Sequence, residues 1–349
     1  MGKVGLDRVN RTFRNFALFT NASGINSKLL RNIEILDPAF ILTGEHGLYL
    51  EADRGKSFSL MEDDFSGKPV YPIYPDINED LFDKVEGVVI DIQDVGVRCF
   101  TFIYNLKKII EIASRKSLKV VVLDRFNPIG RSFGSVCEKE SIVCPMGIPF
   151  LYPFSIGKLA RIFSKPFSLN IEVIETEGAL TYEEMEKFLS NVSQNLNSYQ
   201  SVLLYPALVF LEGFQDVSVG RGTNKPFRMV LSKENIASVL ETFLKGLGIN
   251  GVYFNKTISK PCFDTLANER LFGIEFFVYD KDVFDPVLLG FNLFKFFYER
   301  GYKLSYDEDG TPFIELIYPH LLEAVESQSL FEFYNSENEM GKAFLSKNF

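Results

Sequence analysis

The feature that most constrains this chain is a series of short, nearly unbroken apolar runs separated by segments of helical period. "NFALFT" (15–20), "AFILT" (39–43), "GVVID" (87–91) and "KVVVLD" (119–124) have the length and Val/Ile/Leu content of strands covered on both faces. Between them, segments at about 25–36, 78–85 and 103–117 carry helix periodicity. Strands that alternate with helices build βαβ units and hence a parallel sheet. "IEVIET" (171–176), after a helix near 156–164, extends the series.

The alternation fades in the second half. "SKENIASVLETFLKGLG" places Ser232 as a helix N-cap and closes on glycine. "DPVLLGFNLFKFFYER" offers Asp285 as a cap and Pro286 at the first helical position, and "RLFGIEFFVYD" (270–280) is the best strand. The expected fold is α/β: a parallel-sheet domain over residues 1–228 and a smaller α+β domain over 229–349.

Composition narrows the function. With 349 residues, 46% of them hydrophobic, the chain can bury a sizeable core, and a net charge of -9 excludes nucleic acid or an anionic membrane as the main partner. The start "MGKVGLDRVNRTFRNF" carries no secretory pattern, and no run approaches the roughly 20 apolar residues of a membrane helix, so cytoplasmic residence is predicted. Four scattered cysteines without a CxxC spacing read as reduced core thiols. Two histidines, His46 and His320, rule out a multi-histidine metal site, and no metal or cofactor is expected. "RGKS" (54–57) resembles the end of a phosphate loop, but Leu50 stands where the earlier glycine belongs. Tryptophan is absent, while 35 Phe and 15 Tyr supply faces on which a sugar can stack.

Each of the first four strands ends in polar residues. These are Asn21 and Ser23; Glu45 and His46; Asp91, Gln93 and Asp94; and Asp124, Arg125 and Asn127. In an open parallel sheet, all such carboxyl ends line one edge, where ligands bind. Each cluster also has an ordinary explanation. Asp124 alone serves equally as the cap of the next helix, and Asn127 before Pro128 is first of all a turn residue. His46 alone is as readily a packed, hydrogen-bonded residue as a reactive one, and Arg98 can simply pair with Asp91 or Asp94. The sharpest cluster is "GEHG" (44–47), because flanking glycines let a carboxylate be presented at a crevice. "LEGFQDVSVGRGTNKPF" (211–227), with Glu212, Asp216 and Arg221, reads as a long functional loop or a domain linker.

In order along the chain, "TNASG", "GEHG", "IDIQDVGVRCFTF", "LDRFNPIG" and "LEG...GRGTNKPF" resemble the motifs of the exo-β-N-acetylmuramidase (NamZ-type) glycoside hydrolase family, formerly a domain of unknown function. The similarity runs from about residue 15 to about 300. It implies a Rossmann-like domain that binds no nucleotide, a smaller C-terminal domain and a cleft between them. The implied activity releases N-acetylmuramic acid from the non-reducing end of peptidoglycan fragments, so the implied partner is a muramyl disaccharide or similar carbohydrate. Oligomeric state is not implied.

Position by position, the resemblance makes Glu45 the leading catalytic carboxylate. It also matches Asp91, Gln93, Asp94, Gly96 and Arg98, then Asp124, Arg125, Asn127 and Pro128, then Glu212, Gly213, Arg221, Gly222 and Thr223. Glycoside cleavage commonly pairs an acid with a second carboxylate. Glu45 is the expected acid, with Asp94 or Glu212 as its partner. Asn21, His46, Asp91, Gln93, Arg98, Asp124, Arg125, Asn127, Arg221 and Thr223 are the expected substrate-binding set. Arg98, Arg125 and Arg221 have the planar fork that clamps a carboxylate such as the lactyl group of muramic acid. The chain departs from the family at several places: Lys158 replaces a Glu, a His and a Ser-Pro-Asn segment are missing, Phe214 and Gln215 replace Thr-Asn, and Val219 replaces a Glu. Those departures keep open a non-catalytic carbohydrate-binding or regulatory descendant and, third, a hydrolase of another acidic sugar or ester.

Overall fold

A computed structural model of the chain describes residues 2–51 and 60–348; "RGKS" lies outside them. The chain divides into two compact units, Met1–Arg131 with Glu138–Gln194 and Ser132–Cys137 with Asn195–Phe349. The division thus falls at 194/195 and not near residue 228.

The first unit contains β1 (Phe16–Phe19), α1 (Asn32–Leu36), β2 (Phe40–Thr43), β3 (Met61–Glu62), β4 (Pro69–Pro72), β5 (Gly87–Ile90), α2 (Phe102–Arg115), β6 (Lys119–Leu123), α3 (Ile156–Ser164), β7 (Ile171–Ile174) and α4 (Tyr182–Leu189). The seven strands form one sheet in the order β3-β4-β2-β1-β5-β6-β7, parallel except for the β3 edge. Counted by their sequence order, the parallel strands run 3-2-1-4-5-6. This is a doubly wound sheet whose winding reverses between β1 and β5. All residues of β1, β2 and β5 are buried, as strands covered on both faces must be. Helix α2 buries Ile103, Leu106, Ile109, Ile110 and Ala113, the apolar stripe that its periodicity predicts.

Two expected helices are cut down. Only Asn32–Leu36 of 25–36 is α-helical. Upstream, Asn26 Oδ1 accepts the Lys28 and Leu30 amides at 2.9 and 3.0 Å, and Asp7 Oδ1 accepts Ser27 N at 2.9 Å. Side chains thereby take the donors a helix would use. Residues Glu79–Lys84 form a 3-10 helix capped by Asn78.

The second unit contains α5 (Tyr199–Leu208), β8 (Met229–Ser232), α6 (Ala237–Leu247), β9 (Val252–Ser259), β10 (Leu271–Val278), α7 (Pro286–Tyr298), α8 (Phe313–Ile317), α9 (Leu321–Glu326) and α10 (Leu330–Asn348). Its sheet is antiparallel in the order β8-β10-β9. The segment "SYQSVLLYPALVF", within the expected first domain, supplies α5, every residue of which is buried. An apolar run without period suits a buried helix as well as a strand. Gln200 ties α5 to β10 through bonds to and from Val278 at 2.9 and 2.8 Å. Ser232 does not cap α6; it ends β8 opposite Phe272, and the helix begins five residues later. Asp285 does cap α7, accepting Leu288 N at 2.9 Å, with Pro286 at the first position.

The expectation of four reduced core thiols is corrected. Cys137 and Cys144 are disulfide-bonded, while Cys99, buried, and Cys262, exposed, take part in no disulfide. Among the described residues, no helix is long and apolar enough to cross a membrane.

Candidate active site

The winding reversal between β1 and β5 is where a doubly wound sheet opens a crevice at its carboxyl edge. Here that place is filled by a buried polar knot. Arg125, following β6, donates from Nε to Asp91 Oδ1 at 2.7 Å, and Asn32 donates to Asp91 Oδ2 at 2.8 Å. Asn32 also donates to Thr20 Oγ1 at 2.7 Å, and Arg125 Nη2 donates to the Ile25 carbonyl at 3.1 Å. The Asp91 and Arg125 side chains are 0% and 1% exposed. The bonds from Asn32 and to the Ile25 carbonyl offset part of the cost of enclosing this pair, while Arg125 Nη1 finds no partner among the described residues.

A second chain of bonds runs along the same edge. Asn21 Oδ1 accepts Ser23 N and Oγ at 2.9 and 2.6 Å; Ser23 Oγ accepts Gln93 N at 3.0 Å. Gln93 Nε2 donates to the carbonyls of Asp94 and Phe126 at 2.7 and 2.9 Å. Asp124 lies at the start of α3, accepting Gly157 N at 2.7 Å and Ser155 Oγ at 2.9 Å, and burial pushes its carboxyl above the usual range. Asn127 Oδ1 accepts Ile129 N and Gly130 N at 2.9 and 3.0 Å, while its amide donates to the Tyr152 and Phe154 carbonyls. These are capping and turn bonds of the kind expected from the ordinary explanation of both residues.

Asp94 is buried and receives the Tyr152 hydroxyl at 2.9 to 3.0 Å and Gly96 N at 3.1 Å. Desolvation outweighs these bonds and pushes its pKa up to about 6. Arg98 is 1% exposed, with its guanidinium 5.9 Å from the Phe150 ring centre and its backbone amide bonded to the Phe150 carbonyl.

Glu45 is partly exposed, unlike the buried Asp91, Gln93, Asp94, Arg98, Asp124 and Arg125. It follows β2 on a loop in which His46 and Gly47 both take positive φ, 73° and 80°. Thr101, at the N-terminus of α2, donates its hydroxyl to Glu45 Oε2 at 3.3 Å. Gly44 is required by packing: a Cβ there would lie 2.8 Å from Asn105 Nδ2 and 3.0 Å from the Phe102 ring. His46 is buried. The loop therefore seats a carboxylate against the end of α2 and leaves it within reach of solvent.

In the second unit, Glu212 closes a 3-10 turn at Val209–Gly213 and is ion-paired with Arg221, whose Nε lies 2.7 Å from Oε1. The Arg221 guanidinium also lies over Phe227, 5.2 Å from its ring centre. Thr223 Oγ1 donates to the Gly220 carbonyl at 2.6 Å and accepts Lys225 N at 3.0 Å. Positive φ at Gly220 and Gly222 lets this segment fold back without helix or strand, as expected of a long loop.

The structure thus gathers Asn21, Asp91, Gln93, Asp94, Asp124, Arg125 and Asn127 at one sheet edge, mostly bonded to each other or to backbone. Their partners Asn32, Tyr152 and Ser155 escaped the sequence reading, since nothing local marks them. Thr101 had a signal, lying within the same polar-to-apolar stretch that carries Asp91 and Arg98. Among the described residues, no group of three or more His, Cys, Asp or Glu side chains is arranged to hold a metal ion.

Comparison with known proteins agrees along the chain. Residues 16–200 match the family described as exo-beta-N-acetylmuramidase NamZ, N-terminal, and residues 203–337 its C-terminal counterpart. A curated relative, the peptidoglycan beta-N-acetylmuramidase NamZ of Bacillus subtilis strain 168, is 30% identical over 300 residues, covering 81% of this chain and 72% of the relative. Two crystal structures of DUF1343 family proteins from Bacteroides fragilis NCTC 9343 share the fold. One has a TM-score of 0.85 at 22% identity, covering 100% of this chain and 98% of that one; the other has 0.72 at 20%, covering 100% and 97%.

Proposed function

This chain belongs to the exo-β-N-acetylmuramidase NamZ family, and on that footing we propose that it is a glycoside hydrolase releasing N-acetylmuramic acid from the non-reducing end of peptidoglycan fragments. The observation that carries the proposal is the seat of Glu45: a partly exposed carboxylate on a glycine-bracketed loop, held by the Thr101 hydroxyl at the strand edge where α/β sheets bind ligands. Glu45 protonates the glycosidic oxygen as the sugar leaves. The second carboxylate is Asp94 or Glu212, acting as base on water or as nucleophile on the anomeric carbon. Of the three candidate arginines, Arg98 and Arg125 are enclosed, so Arg221, with 13% of its side chain exposed, is the one to pair with the lactyl carboxylate. The enclosed Asp91, Arg125 and Asp124, with the half-buried Asn127, act by holding the edge in shape.

The test is hydrolysis of a chromogenic N-acetylmuramide. Wild type releases the chromophore, and Glu45→Gln lowers kcat by roughly 100- to 10,000-fold, the range of a lost general acid. Undiminished release by Glu45→Gln removes it from the role. Calorimetric binding of the muramyl disaccharide with no turnover by wild type replaces hydrolysis with a non-catalytic carbohydrate-binding role. Asp94→Asn and Glu212→Gln identify the second carboxylate, and the anomer first formed reports the geometry: retention requires carboxyls about 5 Å apart, inversion about 6.5 to 9.5 Å. Cell-wall recycling in the cytoplasm is the proposed setting, and fractionation of the native host tests it.

A further inference from the structure

One buried polar group has no place in the mechanism above. Asn105 lies in α2 among Phe102, Ile103, Leu106 and Ile109, with its side chain fully enclosed. Among the described residues, neither Nδ2 nor Oδ1 finds a hydrogen-bond partner. A buried carboxamide with neither end bonded is costly, and leucine or alanine would suit this apolar helix better. Such a group calls for an explanation beyond stability.

Its surroundings supply one. Asn105 is four residues after Thr101, so the two share a face of α2. Thr101 gives its hydroxyl to Glu45, and Asn105 lies directly under Gly44, whose absent Cβ would meet Nδ2 at 2.8 Å. Thr43, the residue before Gly44, brings a second fully buried polar atom, Oγ1, which also lacks a partner among the described residues. A single helix face therefore holds the carboxylate at one point and offers unspent donors and an acceptor to the backbone that carries it.

We propose that Asn105 is a positioning residue for Glu45: its carboxamide engages the Thr43–Gly44 segment when the loop settles around bound substrate, fixing the height of the carboxylate over the glycosidic oxygen. The inference rests on the assignment of Glu45 as the acid. Asn105 touches no substrate, so it governs the chemical step and leaves binding alone.

Asn105→Leu, nearly isosteric and unable to hydrogen-bond, provides the test on the chromogenic muramide. Expected are a kcat lowered roughly 10- to 100-fold, the usual effect of a small misplacement, a KM within about threefold of wild type, and a melting temperature equal to or above wild type. Asn105→Ser, which keeps a donor and an acceptor, should restore part of the rate, and it stands in as the probe should the leucine variant fold poorly. In a Glu45→Gln background, Asn105→Leu should add no further loss. Unchanged kcat, or a rate loss that follows a fallen melting temperature, overturns the inference. Full activity in Glu45→Gln itself would instead remove the acid assignment, whatever Asn105 does.

Discussion

Asp94 illustrates how a residue's neighbourhood sets its charge. Its carboxyl titrates near 6 in place of the ordinary 3.8 because burial penalises the anion more than Tyr152 and Gly96 support it. The native state therefore holds a proton that the unfolded chain has already lost between those values. This group's contribution to stability is complete below about pH 3.8 and is lost as pH rises through about 6, a swing on the order of 3 kcal/mol. Asp94→Asn, which stays neutral, should flatten that slope. Denaturant unfolding of wild type and variant between about pH 4 and 7 measures it, and parallel curves would contradict the burial argument. From sequence, Asp91 and Asp94 are two similar carboxylates three residues apart. Only packing makes one half of a sealed ion pair with Arg125 and the other a desolvated acid beside a tyrosine.

At the scale of elements, strand and helix periodicity located β1, β2, β5, β6 and β7 to within two residues. It failed where side chains compete with backbone, as Asn26 and Asp7 do before α1. One further element shows a constraint that sequence conceals. Gly273 sits in the central strand β10, paired with Leu231 on β8 and Thr257 on β9. A Cβ there would lie 1.9 Å from the Val230 carbonyl oxygen. Gly273→Ala should force β8 away and cost roughly 1 to 3 kcal/mol or more, read as a lowered melting temperature. An unchanged melting temperature would show that the strands yield freely.

For the whole molecule, the order of motifs was enough to place the chain in its family, but not the extent of its two units. α5 was expected in the first and belongs to the second, where Gln200 bonds it to Val278 of β10. The cysteines carry a question of compartment. A disulfide at Cys137 and Cys144 is characteristic of an oxidising setting, whereas cytoplasmic residence predicts reduced thiols. Protein isolated under native conditions and labelled after unfolding should take label at Cys99 and Cys262 directly, and at Cys137 and Cys144 only after reduction. Labelling of all four without reduction would mean that the bond does not form in the cell.

By itself the sequence determined the parallel-sheet architecture, the carboxyl edge at which polar residues collect and the loop that presents Glu45. Each of these follows from local periodicity, glycine placement and strand direction, which act over a few residues. Only the tertiary structure decided which of those polar residues face outward. Asp91 and Arg125, 34 positions apart, seal each other off, Asp124 and Asn127 are spent on caps and turns, and the Asn105 side chain, unbonded among the described residues, lies beneath the Glu45 loop. Hydrogen-bond partners come from whatever the fold brings within about 3 Å, and no local pattern records that choice.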